Sequence, residues 1–282
     1  TNSLMVDAAS LFPEGSVKLA GVKMFTNVKT DEILLTAASL SRYAGSVFST
    51  IFNEVLQGKE KRLYSVENYS YEDSMGLCGW IHSQRVLLGN RELMMAHNIE
   101  GLPSRAREAE MIGVGQEGVY LSISGSLSAL FLVELHADRQ TKFWTKQCVR
   151  HGVCMILRSV DPMITIHRLS NVFEIPQEML KIIPVKMHRE YAQETAPVES
   201  MRTSMASSSS FSSVAQLIVG TKVLRRAAFF GVFVQAVMVL LGLGIVMMEA
   251  VLHVGLTTGW MLILQCASVV LTLLAVNIRR LY

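Results

Sequence analysis

The sequence lacks the features of disulfide-rich, zinc-binding and nucleic-acid-binding proteins. Its 282 residues include only four cysteines, which are scattered and show no C-x-x-C or Cys/His spacing, so a disulfide or zinc framework is not expected. Only 17% of the residues are charged, and a net charge of +3 is too small to indicate a nucleic-acid partner. No basic-then-apolar leader follows Thr1, so we expect no signal peptide and expect the chain to be the C-terminal part of a longer protein.

Two long apolar runs lie near the end of the chain. Residues 227–248 contain no charge and would extend about 33 Å as a helix, which is enough to cross a bilayer. Residues 260–278 form the second run. Basic pairs flank the two runs on their outer sides, at Arg225-Arg226 and Arg279-Arg280. By the positive-inside rule, this pattern predicts a transmembrane hairpin with both chain ends and the soluble domains in the cytoplasm. A buried hairpin of a soluble protein is the alternative, although its helices would normally show a polar stripe.

Two glutamines interrupt these runs, Gln235 and Gln265. Polar side chains at membrane depth tend to face the protein interior, where they line an ion path or bond to another helix. We favour the interhelix hydrogen bond, because neither run contains a carboxylate.

The first apolar run of the chain, Leu4–Val6, is followed by Asp7, small residues and a turn at Pro13–Gly15. A short apolar run closed by turn residues predicts a buried strand. Open α/β sheets place their chemistry at the carboxyl ends of such strands. An Asx-type turn at the end of the strand would also explain Asp7.

The rest of the chain before the hairpin predicts two kinds of structure. From residue 130 to residue 172, strand, helix, strand and helix follow one another, which is typical of a parallel sheet covered by helices. Between residues 30 and 128, two helices precede short strands broken by Gly, Asn and Asp.

The stretch from Asp7 to Gly15, D-A-A-S-L-F-P-E-G, resembles the phosphorylation loop of P-type ATPases, D-K-T-G-T-L-T, which E-G often follows. The Asp and Glu14-Gly15 match, whereas the Lys, both Thr and the intervening Gly do not. Ser10 is the only side-chain donor left where the family cradles the phosphoryl group. The order of the later segments resembles that family over nearly the whole chain.

Further segments resemble the metal-transporting members of this family. Gly89-Asn90-Arg91, with Met94, is similar to the G-N-x-x-x-M of the nucleotide-binding domain, and Gly76-Leu77-Cys78-Gly79 is similar to its glycine-rich turn. The family's His-Pro pair, expected near Gly45-Ser46, is absent. A hairpin turn would require glycine as well.

The second half of the catalytic domain resembles the family in part. Ser159-Val160-Asp161 stands at T-G-D, where only the Asp is kept, and Pro184-Val185-Lys186 resembles a P-x-x-K shortened by one residue. The G-D-G-x-N-D loop is missing, and serine-rich sequence replaces it.

The resemblance implies a haloacid-dehalogenase-like, Rossmann-type α/β sheet that is split by an inserted α+β domain and followed by the membrane hairpin. The phosphorylation-like domain would have its first part at residues 1–29 and its second part at residues 129–202, with the nucleotide-binding-like insertion at residues 30–128 between them. A serine-rich linker would follow at residues 203–213, and a helix and the transmembrane hairpin at residues 214–282.

In function, the resemblance implies Asp7 as phosphoryl acceptor and Mg²⁺ ligand, with Asp161 and Lys186 as catalytic partners. Gly76, Gly79, Gly89 and Asn90 would contact ATP. ATP and Mg²⁺ are the cofactors of an active enzyme. The lost donors and metal ligand favour a pseudo-ATPase, because each lost transition-state donor costs about 10²–10³ in rate. An active cation transporter, with further membrane helices upstream or in another subunit, and a membrane-tethered interaction module are the alternatives.

Overall fold

The computed structural model describes residues 2–56, 63–194, 196, 207–208, 210–252, 255 and 258–281. The chain divides into two compact units, Thr1–Val214 and Ala215–Tyr282. The first unit is mixed α/β and contains a parallel and an antiparallel sheet, while the second contains two long apolar helices. At this level the predicted fold class is confirmed.

The strands of the first unit form two separate sheets. The three-stranded parallel sheet has the order β1-β8-β9, and the six-stranded antiparallel sheet has the order β2-β7-β6-β5-β4-β3. The strands are β1 Ser3–Asp7, β2 Val17–Met24, β3 Glu67–Glu72, β4 Gly76–Ile81, β5 Gln84–Gly89, β6 Gln116–Ile123, β7 Ser126–Leu135, β8 Cys154–Arg158 and β9 Leu180–Ile182.

Helices occur in both units. They are α1 Ala8–Leu11, α2 Thr30–Ala44, α3 Ser49–Leu56, α4 Arg91–Ala96, α5 Arg105–Met111, α6 Arg139–Arg150, α7 Ile166–Phe173, α8 His188–Glu194, α9 Phe211–Leu252 and α10 Thr258–Leu281. Single 3₁₀ turns lie at Gln177–Met179 and Val185–Met187.

Local capping residues set several of these boundaries. The Asp138 carboxylate accepts the N–H groups of Gln140 and Thr141 and so begins α6. Helix α2 ends at Gly45, whose φ of +67° closes the helix in the left-handed conformation. Ser124 and Gly125 have φ values of 53° and +85°, as a two-residue type I′ turn requires, whereas the sequence predicts this turn one residue later, at Gly125-Ser126.

Strand β7 shows where the predicted division between the sheets differs from the structure. The sequence predicts residues 127–135 as one strand of a hairpin with residues 118–123, and it also predicts residues 130–135 as a strand of the parallel sheet. The structure confirms the hairpin, as β7 pairs with β6, and it pairs β7 with β2 in the antiparallel sheet. All but two residues of β7 are buried. A central antiparallel strand that is covered on both faces has an uninterrupted apolar sequence, as a buried parallel strand has. The sequence alone therefore does not distinguish the two.

The predicted serine-rich linker, 203–213, is in part helical. Residues 203–206 and 209 lie outside the described residues. Helix α9 begins at Phe211, three residues before the helix that we predicted from residue 214. The Ser210 hydroxyl accepts the N–H of Ser213 at 3.4 Å, and Phe211 is buried, so a serine cap and an apolar anchor extend the helix into the serine run.

The second unit is a hairpin of α9 and α10, both long and apolar enough to cross a membrane. Only 6% of the most apolar window of each helix is buried, so these apolar surfaces indicate association with a membrane. The helices meet closely at Gly231, where an added Cβ would lie 2.8 Å from the Val276 side chain. Gln235 Oε1 accepts hydrogen bonds from the hydroxyls of Ser268 and Thr272, each at 3.0 Å.

The favoured interpretation of Gln235 as an interhelix hydrogen-bonding residue is therefore confirmed. Gln235→Ala should weaken the packing of α9 against α10 by about 1 kcal/mol, because the Ser268 hydroxyl loses its acceptor in an apolar environment. The measurement is SDS-driven separation of the helices in bicelles, followed by energy transfer between labels on α9 and α10.

Gln265 supplies the matched control. Its side chain is exposed, and no described residue forms a hydrogen bond with it, so the interhelix hydrogen bond that we favoured for both glutamines is found at Gln235 and not at Gln265 within the described residues. Gln265→Ala should leave the separation midpoint unchanged, and equal effects of the two substitutions would contradict the assignment.

Candidate functional site

The candidate site lies at the carboxyl edge of the parallel sheet. Asp7 is the last residue of β1 and pairs directly with Arg158, the last residue of β8. Asp161 follows three residues later, so the two predicted carboxylates come from neighbouring parallel strands at the same edge. Their location agrees with the sequence analysis, and their catalytic role stays a prediction.

Both carboxylate oxygens of Asp7 are engaged by the protein. Oδ1 accepts the N–H of Ala9 at 3.3 Å and caps α1, and Oδ2 accepts a charged hydrogen bond from Arg158 Nη1. The Ser10 hydroxyl donates to the backbone carbonyl of Asp7 at 2.7 Å. The donor side chain that was expected to cradle a phosphoryl group is therefore bound to the chain itself.

Asp161 is almost completely buried, with 3% of its surface exposed. Its Oδ1 accepts from the Ser46 hydroxyl, and its Oδ2 accepts the Val47 N–H at 2.8 Å. Burial raises the pKa of Asp161 to about 6, and the negative charge of Asp7 adds to the rise, while these two hydrogen bonds oppose it. Asp161 thus fixes the segment after α2 to the sheet edge.

Aromatic side chains surround the Asp7–Arg158 pair. The Arg158 guanidinium lies 5.9 Å from the ring centre of Tyr191, within the range of a cation–π contact. The His188 ring stacks on Tyr71 at 5.9 Å, and burial lowers the pKa of His188.

Sequence reasoning missed the residues that bind the two carboxylates and surround them. The apolar run Val153–Leu157 predicts a strand that ends one residue before Arg158, whereas β8 includes Arg158. One feature of the sequence could have indicated the ion pair. Arg158 directly follows an apolar run, and the strand predicted there belongs to the same parallel sheet as the strand that ends in Asp7. Ser46, His188 and Tyr191 gave no signal, because only the tertiary structure brings them to this edge.

Lys186 is not joined to either carboxylate. It lies in the 3₁₀ turn Val185–Met187, after β9, and its side chain is exposed. Within the described part of the chain, no side chain or backbone group forms a hydrogen bond or ion pair with Lys186. Its predicted catalytic role stays a prediction.

Gly76 and Gly89 face each other across β4 and β5. A Cβ added at Gly76 would lie 2.4 Å from the Leu88 carbonyl oxygen, and one added at Gly89 would lie 2.2 Å from the Met75 carbonyl oxygen. The close approach of two backbone segments therefore accounts for both glycines without a ligand.

The other two predicted nucleotide contacts have internal partners as well. A Cβ at Gly79 would lie 2.9 Å from the Leu40 side chain on α2. The Asn90 side chain accepts the Leu93 N–H at 3.0 Å, which caps α4, and donates to the Ser74 carbonyl at 2.9 Å. These contacts are structural, and nucleotide binding at the four residues stays a prediction.

A cavity of about 370 Å³ lies beside Asp161. The segments that line it are the turn between β3 and β4, the loop after β8 and the end of β9. Asp73 and Tyr71 contribute from the β3–β4 hairpin, and the Asp73 carboxylate accepts the Val185 N–H at 3.2 Å. The described lining residues include two carboxylates and neither Lys nor Arg, which is unfavourable for a polyphosphate.

Magnesium binds through carboxylate oxygens, so Mg²⁺ at this edge would have to share the oxygens of Asp7 and Asp161 with their present partners. Both oxygens of Asp7 and both of Asp161 already accept hydrogen bonds. No group of three or more His, Cys, Asp or Glu that could hold a metal ion occurs among the residues that the structure describes.

Comparisons with known proteins give matches in structure alone. No family model and no curated protein matches the sequence. Similar solved structures include P-type ATPases and their isolated domains. A zinc-transporting PIB-type ATPase in the E2.Pi state has a TM-score of 0.46 at 12% identity, over 99% of this chain and 50% of that one. This chain thus spans half the length of that transporter.

Two isolated domains are also similar. The N-domain of a copper-transporting P-type ATPase matches with a TM-score of 0.34 at 16% identity, over 42% of this chain and 99% of that domain. The catalytic domain of a CPx-ATPase matches with a TM-score of 0.36 at 12% identity, over 68% and 67% of the two chains. Similarities of this size leave function to be judged from the side chains.

Proposed function

We propose that this chain is a membrane-anchored pseudo-ATPase, a phosphoryl-transfer fold whose acceptor carboxylate serves the structure of the protein. Its role would be regulatory or scaffolding, alone or within a larger cation transporter. The hairpin of α9 and α10 would hold it in the bilayer, with both chain ends in the cytoplasm. Further membrane helices, in the same chain or in another subunit, are the expected partners.

The observation that carries the proposal is the ion pair between Asp7 and Arg158. A phosphoryl acceptor needs an oxygen free to attack in line, and it needs cations placed against the developing phosphoryl charge. Here the cation binds the attacking oxygen itself. The other oxygen caps α1, so both oxygens of Asp7 already have a partner within the protein.

Asp161 supports the same conclusion. An acid that is buried and has a pKa near 6 binds its proton more readily than an ordinary metal-binding carboxylate. Its hydrogen bonds with Ser46 and Val47 hold the segment after α2 in place. Release of this carboxylate to a metal would leave two buried donors unpaired, at a cost of about 1–3 kcal/mol for each.

Asp7→Asn should leave ATP turnover by the purified full-length chain unchanged, because Asp7 does not accept a phosphoryl group. The measurement is incubation with radiolabelled Mg-ATP, followed by an acid quench and a search for a hydroxylamine-sensitive acyl phosphate. We expect no such phosphate in either protein.

Asp31→Asn, at an exposed residue in the first turn of α2, is the matched control for loss of a surface carboxylate. An active metal-transporting P-type ATPase serves as the positive control. An acyl phosphate that forms in the wild type and in Asp31→Asn but disappears in Asp7→Asn would overturn the proposal and favour the active transporter. ATP binding without turnover would fit a regulatory role, and no binding would leave the scaffolding role.

A further inference from the structure

Helix α9 carries a basic and aromatic stripe at the start of its apolar segment. The stripe consists of Lys222, Arg225, Arg226, Phe229 and Phe230. The last four residues lie three, four, seven and eight positions after Lys222. At about 100° per residue, all five fall within an arc of about 140° on one helix face. Cations and aromatic rings therefore share one surface.

A cavity of about 610 Å³ lies against this stripe, and its described lining consists of the same five residues. Arg225, Arg226 and Phe229 are exposed, and Phe229 exposes 75% of its surface. A volume of this size is within the usual range for a small-molecule site. The surface is accessible and has room for a ligand with a charged group and an apolar part.

The charges of the second unit are distributed unequally along the hairpin. Glu249 is the only acidic residue from residue 215 to the end of the chain, and it lies about 35 Å along α9 from Arg226 at 1.5 Å per residue. Arg225 and Arg226 therefore have no carboxylate of this unit near them in sequence. The charge of the surface fits an anion.

The depth of each side chain follows from the apolar segment. Residues 227–248 would fill the hydrocarbon core, so Arg225 and Arg226 lie at the level of the lipid phosphates. Phe229 and Phe230 lie about one turn deeper, at the level of the first acyl carbons. The stripe thus presents cations and rings at the depths where a phospholipid has its phosphate and its first acyl carbons.

We infer that this stripe is a binding site for the headgroup of an anionic phospholipid. The two arginines bind the phosphate and the additional negative charge of the headgroup, and Phe229 and Phe230 contact the upper acyl chain. The site does not depend on whether Asp7 accepts a phosphoryl group. It lies wholly in the second unit and requires only that α9 enters a bilayer.

The test is native mass spectrometry of the full-length chain in a neutral detergent. Phosphatidylserine or phosphatidylcholine with the same acyl chains is added over a range of concentrations. The wild type should retain phosphatidylserine in preference to phosphatidylcholine. Since each basic residue near a charged membrane surface strengthens binding about fivefold, the double variant R225Q/R226Q should bind phosphatidylserine about 30-fold more weakly.

R105Q/R107Q is the matched control, because it removes two exposed arginines from α5 in the first unit. It should keep the wild-type preference, and circular dichroism should show the same helix content in both double variants. Equal retention of the two lipids by the wild type would overturn the inference. So would an equal loss in both double variants, or full displacement of the lipid by millimolar inorganic phosphate, which would indicate a site for free phosphate.

Discussion

Gly89→Ala should destabilise the first unit by about 3 kcal/mol or more, since the new methyl group has no space between two backbone segments. Its Cβ would lie 2.2 Å from the Met75 carbonyl oxygen and 3.0 Å from the Cα of Gly76. Met75 and Gly76 obstruct it with backbone atoms at the start of β4, and the Leu93 side chain lies 2.7 Å away, so β4 and β5 would have to separate. The measurement is the free energy of unfolding of the detergent-solubilised chain in urea, followed by tryptophan fluorescence.

Gly21→Ala is a matched control in the same antiparallel sheet. A Cβ at Gly21 would meet the Leu132 side chain at 3.6 Å, which is an ordinary van der Waals contact. We expect a change within about 0.5 kcal/mol, as for most substitutions that create no clash. A Gly89→Ala protein as stable as Gly21→Ala would show that the strands can move apart and leave room for a ligand.

Gly89→Ala should therefore alter nucleotide binding through the loss of structure alone. If Gly89→Ala abolishes binding of an ATP analogue, the loss of the fold is a sufficient cause. Asn90→Ala is more informative, because Asn90 is a cap of the short helix α4 and its loss should cost only about 1 kcal/mol.

The sequence predicted those parts of the fold whose signals are local. The apolar runs of the hairpin, the capped helix α6 and the strand that ends in Asp7 each depend on neighbouring residues alone. The hairpin of β6 and β7 was confirmed, whereas the placement of residues 130–135 in the parallel sheet was wrong, because burial on both faces gives a parallel strand and a central antiparallel strand the same pattern. Only the pairing partners distinguish them, and these are distant in the sequence.

The candidate site was predictable to the same extent. Two strands of one parallel sheet bring their carboxyl ends together, so Asp7 and Asp161 were expected at one edge. What each carboxylate binds could not be predicted, since it depends on the register that sets Arg158 beside Asp7 and on the position of Ser46 after α2. The resemblance to a known family supplied a role for Asp7, whereas its contacts favour a different one.

Both carboxylates act as structural ties in this arrangement. Asp7 joins β1 to β8 through Arg158, and Asp161 joins the end of the parallel sheet to the segment that follows α2. Removal of Asp161 would leave the buried Ser46 hydroxyl and the Val47 N–H without their acceptor. The stability of the first unit should therefore depend on the protonation of the buried acid.

Asp161→Asn should remove a pH dependence of stability that amounts to about 3 kcal/mol between pH 4 and pH 7 in the wild type. The ordinary pKa of an Asp is 3.8, and burial raises that of Asp161 to about 6 in the folded protein. Between these values the unfolded chain has lost this proton while the folded chain keeps it. The contribution of Asp161 is thus fully present below pH 3.8 and is lost as the pH rises through 6.

The measurement is the free energy of unfolding in urea at half-unit pH steps, with the variant compared to the wild type at each step. The asparagine keeps one acceptor for Ser46 or Val47 and cannot ionise, so the difference between the two proteins should shift in favour of the variant as the pH rises. Asp73→Asn, at an exposed residue that lines the same cavity, should retain the wild-type dependence, because the buried acid is still present. Parallel curves for wild type and Asp161→Asn would show that Asp161 is ionised throughout and would weaken its assignment as a buried structural acid.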